Sequence, residues 1–171
     1  MIHQTRFIVL VLFSVCLTGC EQVVDLFTPD QDWTVDMQGA QTLSDVFART
    51  AKLQYQYSDN WPTPPQVHAS QQADCKGYSI YAIQMLHQLG YDAQFVVASI
   101  RVGGVDQVEP HAMVFCGGQI YEPQSPTGAI PEGETIEHTE TWSYSKLRDY
   151  VKAEYATGHG RGLDSGVLKF R

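Results

Sequence analysis

The chain has 171 residues, 43% hydrophobic and 18% charged, with a formal net charge of −8. That size and composition suit one globular domain with a core of its own. The acidic balance excludes the basic patch of a nucleic-acid binder, so no nucleic-acid partner is expected. The chain holds no internal repeat and no low-complexity tract.

Residues 1–6 carry a single Arg, and residues 7–15 (FIVLVLFSV) form a short apolar run. The run is too short for an ordinary transmembrane helix and fits the core of an export signal. Leu17-Thr18-Gly19-Cys20 follows it. Small residues before a cysteine at this place resemble the bacterial lipoprotein signal. The resemblance implies cleavage before Cys20 and lipid on its sulfur and amino group; a plain secretory cut nearby is the alternative. Glu21 at the next position resembles the outer-membrane sorting pattern of Gram-negative lipoproteins. The expected order is a signal peptide over 1–19, a tether over 20–40 with Trp33 as a possible anchor, and a domain over 41–171. The expected location is the cell envelope, on the periplasmic face of a membrane, held by the lipid on Cys20.

Thr42 to about Tyr57 is predicted to be a helix, with Thr42 as N-cap, Asp45 three residues on, and Leu43, Val46, Phe47, Thr50 and Leu53 on its apolar side. Residues 60–65 (NWPTPP) are predicted to break regular structure, and residues 66–73 read as a polar lead-in. Then comes the most ordered pattern in the chain. Tyr78, Tyr81, Ala82, Met85, Leu86 and Leu89 recur at helical spacing, Asp74 can cap the start, and Gly90 can end it in a left-handed turn. Cys75 falls on the same stripe in the first turn. Unpaired N–H groups at a helix start favour thiolate over thiol, one way to build a nucleophile. The plain alternative is a small buried apolar residue.

After Gly90 the period changes. Residues 93–100 are β-branched, aromatic and almost uncharged, and residues 111–116 form the next strand. Gly117-Gly118 predicts a two-residue hairpin in which 116 faces 119 and paired numbers sum to 235. In that register His111 lies across from Gln124 and diagonal to Glu122, while Cys116 points to the opposite face. Residues 123–141 are expected as a long acidic loop. Residues 143–156 are expected as a helix with Tyr144, Leu147, Tyr150 and Val151 apolar, and 167–170 as an edge strand.

A thiol nucleophile needs a base, and the base needs a group that fixes its orientation. Cys75, His111 and Glu122 stand in that order on helix start, strand and next strand, with Gln124 as the alternative third residue. His68, His87, His138 and His159 are placed less well. These pieces together resemble the transglutaminase-like fold, and within it the bacterial transglutaminase-like cysteine peptidases. Asp74-Cys75 opens a helix that ends Leu89-Gly90-Tyr91, Phe95-Val96-Val97 follows, and Pro110-His111-Ala112-Met113-Val114 precedes Tyr121-Glu122-Pro123. The likeness spans about residues 41–125, and the family carries its Cys, His and Asp at these points.

The resemblance implies an α+β, papain-like fold, with N-terminal helices packed on an antiparallel sheet and the nucleophile at a helix N-terminus. It implies an amide or peptide hydrolase acting through a thioester on a peptide or protein in the envelope. The oxyanion would be held by the Cys75 N–H and one more donor among Gln71, Gln72 and Trp61. This chain departs from the family in having Glu122 for Asp. It also has Lys76 where calcium-binding members carry an acid, so neither calcium nor any other cofactor is expected. Some relatives transfer acyl groups to amines, and some are inactive. Two rivals remain. One is a papain-like cell-wall endopeptidase, which also begins Asp-Cys-x-Gly. The other is a lipid-anchored binding module in which Cys75 and Cys116 form a disulfide.

Overall fold

The computed structural model describes residues 33–102 and 108–156. Helix α1 (Leu43–Thr50) opens with a full capping box between Thr42 and Asp45, and buries Val46, Phe47 and Thr50. It stops at Ala51, well short of the expected Tyr57. The alternation Gln54-Tyr55-Gln56-Tyr57 has the two-residue period of a strand. Strand β1 (Gln54–Tyr55) accordingly pairs in parallel with β2 (Gln72–Ala73).

Between them lies α2 (Pro64–Ser70), in a stretch expected to be irregular. Proline breaks a helix interior but suits its first turn, where the missing N–H has no partner to lose. Pro64 and Pro65 occupy that turn, and Gln66 accepts from the Thr63 N–H at 2.9 Å.

Helix α3 (Cys75–Gln88) is the centre of the domain. Its C-terminus follows expectation: Tyr91 N–H bonds to Leu86 carbonyl and Gly90 N–H to His87 carbonyl, both at 3.0 Å, with Gly90 at φ +84°. Burial departs from expectation, because every residue from Cys75 to Leu86 is buried rather than one stripe. Helices α1 and α2 cover one side of it and the sheet covers another. The N-terminal helices therefore pack mainly on α3, and α3 packs on the sheet.

The sheet has the order β5-β4-β3-β6, all antiparallel, from β3 (Ala93–Val102), β4 (Val108–Cys116), β5 (Gln119–Tyr121) and β6 (Glu134–Trp142). The hairpin register is the expected one, Cys116 against Gln119 and Val114 against Tyr121, with Gly117 and Gly118 both at positive φ. Strand β6 lies inside the expected acidic loop. Its Thr135, Ile136, Thr139 and Thr141 are β-branched, and it is an edge strand, where charge is tolerated and guards against stray pairing. Helix α4 (Tyr144–Ala156) follows, burying Leu147 and Val151.

One face of the sheet (Ala93, Phe95, Val97, Ala112, Val114, Cys116) joins the main core with α3, and the other carries a smaller cluster around Val96, Ala98, Ile100 and Met113. Residues 33–40, expected within the tether, are fastened to the domain. Trp33 and Val35 lie in the main core, and Gln88 exchanges two 2.9 Å hydrogen bonds with the Val35 backbone. The expected signal, Cys20 and the strand at 167–170 fall outside the described residues.

Candidate active site

Cys75 is the first residue of α3 and is 4% exposed. Asp74 caps the helix by accepting the Gly77 N–H at 3.1 Å. That bond serves the third helical residue and leaves the Cys75 and Lys76 N–H groups at the positive helix end. The turn is tightly seated. A Cβ on Gly77 would stand 2.9 Å from Ala73 Cβ and 3.2 Å from Pro62 Cγ, so glycine lets the preceding chain close on α3.

His111 lies on β4 opposite Ala98. Its Nε2 is 2.6 Å from Glu122 Oε2. Burial pulls the His111 pKa down, but hydrogen bonding to Cys75 and Glu122 and their negative charges outweigh it and hold the pKa at about 10. With Nε2 engaged by Glu122, Nδ1 is the nitrogen left for the thiol. Imidazole and carboxylate are thus in direct contact, and Cys75 is near enough for its charge to raise the His111 pKa.

Glu122 is 4% exposed and is the first residue past the β5 ladder. The chain turns there: Glu122 N–H bonds to Gly128 carbonyl at 2.9 Å, and Thr50 on α1 donates to the Pro123 carbonyl at 2.7 Å. The ladder therefore never reaches the expected 111–124 pair. Gln124 stands beside the carboxylate in another way, giving its backbone N–H to Glu122 Oε1 at 2.9 Å. One carboxylate oxygen thus holds the histidine and the other holds the turn.

Cys116 keeps the strand face that alternation gave it, with Ala112 and Val114, but that face joins the core on the side of α3. It belongs to the same core cluster as Cys75. The two are kept apart along the elements instead. Cys116 pairs with Ala93, whose carbonyl meets His87 Nε2 at 2.9 Å near the far end of α3. His87 is twelve residues from Cys75, a rise of about 18 Å. Both thiols are free. Burial pushes the Cys116 thiol pKa up, and the Asp92 charge adds to this.

The two glutamines suggested as donors beside the Cys75 N–H are engaged elsewhere. Gln71 Nε2 donates to His68 carbonyl, and Gln72 Nε2 meets Gln54 Oε1 at 3.4 Å. The Trp61 ring is 4% exposed among Phe95, Trp142 and Tyr150. Sequence reasoning missed Tyr55, which it had placed inside α1. Tyr55 is 50% exposed, and partial burial followed by the nearby Cys75 and Asp74 charges raises its pKa. The signal was the alternation of residues 54–57. His68 and His87 have structural partners, Tyr81 hydroxyl at 2.8 Å and Ala93 carbonyl. A cavity of about 270 Å³ lined by Gly39, Asp45, Arg49, Lys52 and Gln71 includes none of the three site residues.

No family model matches the chain, and no curated protein matches it. Among solved structures it is similar to a crystal structure from Cytophaga hutchinsonii described as a cysteine-protease candidate. The identity is 13% and the TM-score 0.38, over 60% of this chain and 46% of that one. The chain therefore spans about half the length of that protein.

Proposed function

We propose that the domain is a thiol-dependent amide or peptide hydrolase of the cell envelope, with a transglutaminase-like, papain-related fold. The reading is carried by one observation: a buried carboxylate holds a strand histidine at 2.6 Å, and a cysteine at a buried helix start is close enough to raise that histidine's pKa. Cys75 is the nucleophile, His111 the acid and base, and Glu122 the group that orients the ring.

The raised His111 pKa lets the ring hold the thiol proton, as imidazolium, when the sulfur attacks. The Cys75 sulfur attacks an amide carbon, and the carbonyl π pair moves to oxygen, where the Cys75 N–H stabilises it. As that pair returns, the C–N bond breaks, and His111 gives its proton to the leaving amine. The product is a thioester and neutral His111. Water then attacks the thioester carbon and gives its proton to His111. The C–S bond breaks, which releases the acid and restores the ion pair. An amine in place of water gives acyl transfer with the same balance.

Export and anchoring through Cys20 belong to the same reading and place a peptide or protein substrate in the envelope. Among the described residues no helix is long and apolar enough to cross a membrane. Cys20→Ser should abolish labelling by a radioactive fatty acid and release the protein from the membrane fraction; labelling that persists contradicts the anchor. For the chemistry, a peptide library offered to the purified protein should be cleaved by wild type and not by Cys75→Ser. Glu122→Gln should lose far more turnover, on the order of 10²-fold, than Gln124→Ala, whose backbone N–H survives. Cleavage that persists in Cys75→Ser removes the nucleophile.

A further inference from the structure

Lys76 is a buried cation to which the proposed chemistry gives no part. Its side chain is 3% exposed, and its ammonium is ion-paired with Asp74 Oδ2, on a side chain that is 1% exposed. The ammonium also donates to the Ser58 carbonyl, and the Tyr57 ring lies 5.7 Å away. Asp74 accepts the Gly77 N–H through Oδ1 and the Ser58 N–H through Oδ2 at 3.3 Å. Two backbone groups of residue 58 and the first turn of α3 are therefore held by one pair of opposite charges.

The pair flanks Cys75 on both sides in sequence. A bare carboxylate beside a thiol opposes a second negative charge there, and a buried charge persists only when it is paired. The other titratable groups around the thiol are Tyr55 on β1, Tyr78 on α3, His111 on β4 and Glu122 behind it, with Glu109 close to Tyr55. Of these only His111 can carry positive charge. Without Lys76, that one cation would face Asp74, Glu122 and the thiolate together.

We infer that Lys76 is a positioning residue for the site, whose ammonium cancels the Asp74 charge beside Cys75 and ties the Ser58 segment onto the nucleophile's turn. The inference rests on the reading of Cys75 as nucleophile. That reading is tested separately, by comparing Cys75 with Cys116 in wild type and by His111→Ala.

The experiment measures iodoacetamide alkylation of Cys75 across a pH series by peptide mapping, on the full chain, for wild type, Lys76→Met, Asp74→Asn and the double variant. Asn caps a helix as well as Asp does, so Asp74→Asn removes charge and keeps the cap. Lys76→Met should slow Cys75 labelling at pH 6 by about tenfold and move its pH profile about one unit to alkaline, as one added like charge does. Asp74→Asn should move the profile to acid. The double variant should return to within about threefold of wild type, one tenfold step being one unit. A purely mechanical clamp would leave the double variant as slow as Lys76→Met, and that result overturns the inference, as does an unchanged profile in Lys76→Met. If Lys76→Met does not fold, Asp74→Asn is compared with the double variant. The unopposed Lys76 should make the first faster, and equal rates contradict the inference. Fast wild-type Cys75 that His111→Ala slows, with no effect of Lys76→Met, would retain the nucleophile and reject only the role of Lys76.

Discussion

The His111 ring is held by a carboxylate at 2.6 Å and feels the Cys75 charge, and its own charge is coupled to folding. Burial alone would leave it neutral; the bonds to Cys75 and Glu122 reverse that and hold its pKa at about 10. An unfolded histidine titrates near 6.5. A group whose folded pKa lies higher adds stability that is fully present below the unfolded value and is lost as pH rises through the folded one. The His111 contribution should therefore decline between pH 6.5 and about 10, by at most ~1.4 kcal/mol per pH unit. Urea unfolding at a series of pH values should show a steeper decline for wild type than for His111→Ala. Parallel declines would mean that His111 is neutral in the fold.

At the level of elements, the turn after β5 decides where the carboxylate stands. Gly128 has φ +72°, and a Cβ there would come within 2.7 Å of Phe47 Cδ2 and 2.9 Å of Tyr121 Cδ1. Those two rings stack at 5.0 Å and join α1 to β5. Gly128→Ala combines a left-handed strain with overpacking and should cost about 2–4 kcal/mol in urea unfolding. It should also loosen Glu122, whose N–H bonds to the Gly128 carbonyl. A change within about 0.5 kcal/mol would show that the turn relaxes freely.

The same elements show how far the sequence could be read. Periodicity and the Asp74 and Gly90 signals located α3 to within its ends, and Gly117-Gly118 fixed the hairpin register, because both depend on neighbours in sequence. The register reached Tyr121, which is why Glu122 and Gln124 could be named but not separated. The turn that distinguishes them depends on Thr50 and Gly128, which local patterns do not connect. Strand β6 was hidden by its charges, and α2 by prolines whose meaning depends on position within a helix. The buried state of Lys76 could not be read at all, since one of its partners is a backbone carbonyl eighteen residues earlier.

Across the whole molecule, the two described free thiols lie at opposite ends of α3 within one core, and they make an internal comparison. Cys75 has the helix start and His111; Cys116 has burial and the Asp92 charge, both of which oppose ionisation. The proposed enzyme needs this asymmetry, whereas a disulfide-bonded or inert binding module does not. The direct measurement is the rate of iodoacetamide alkylation of each cysteine at pH 6, in the folded protein, by peptide mapping. Cys75 should label at least about tenfold faster than Cys116, and His111→Ala should abolish most of that advantage. Equal rates for the two cysteines, unaffected by His111→Ala, would contradict the account and leave the fold without the chemistry.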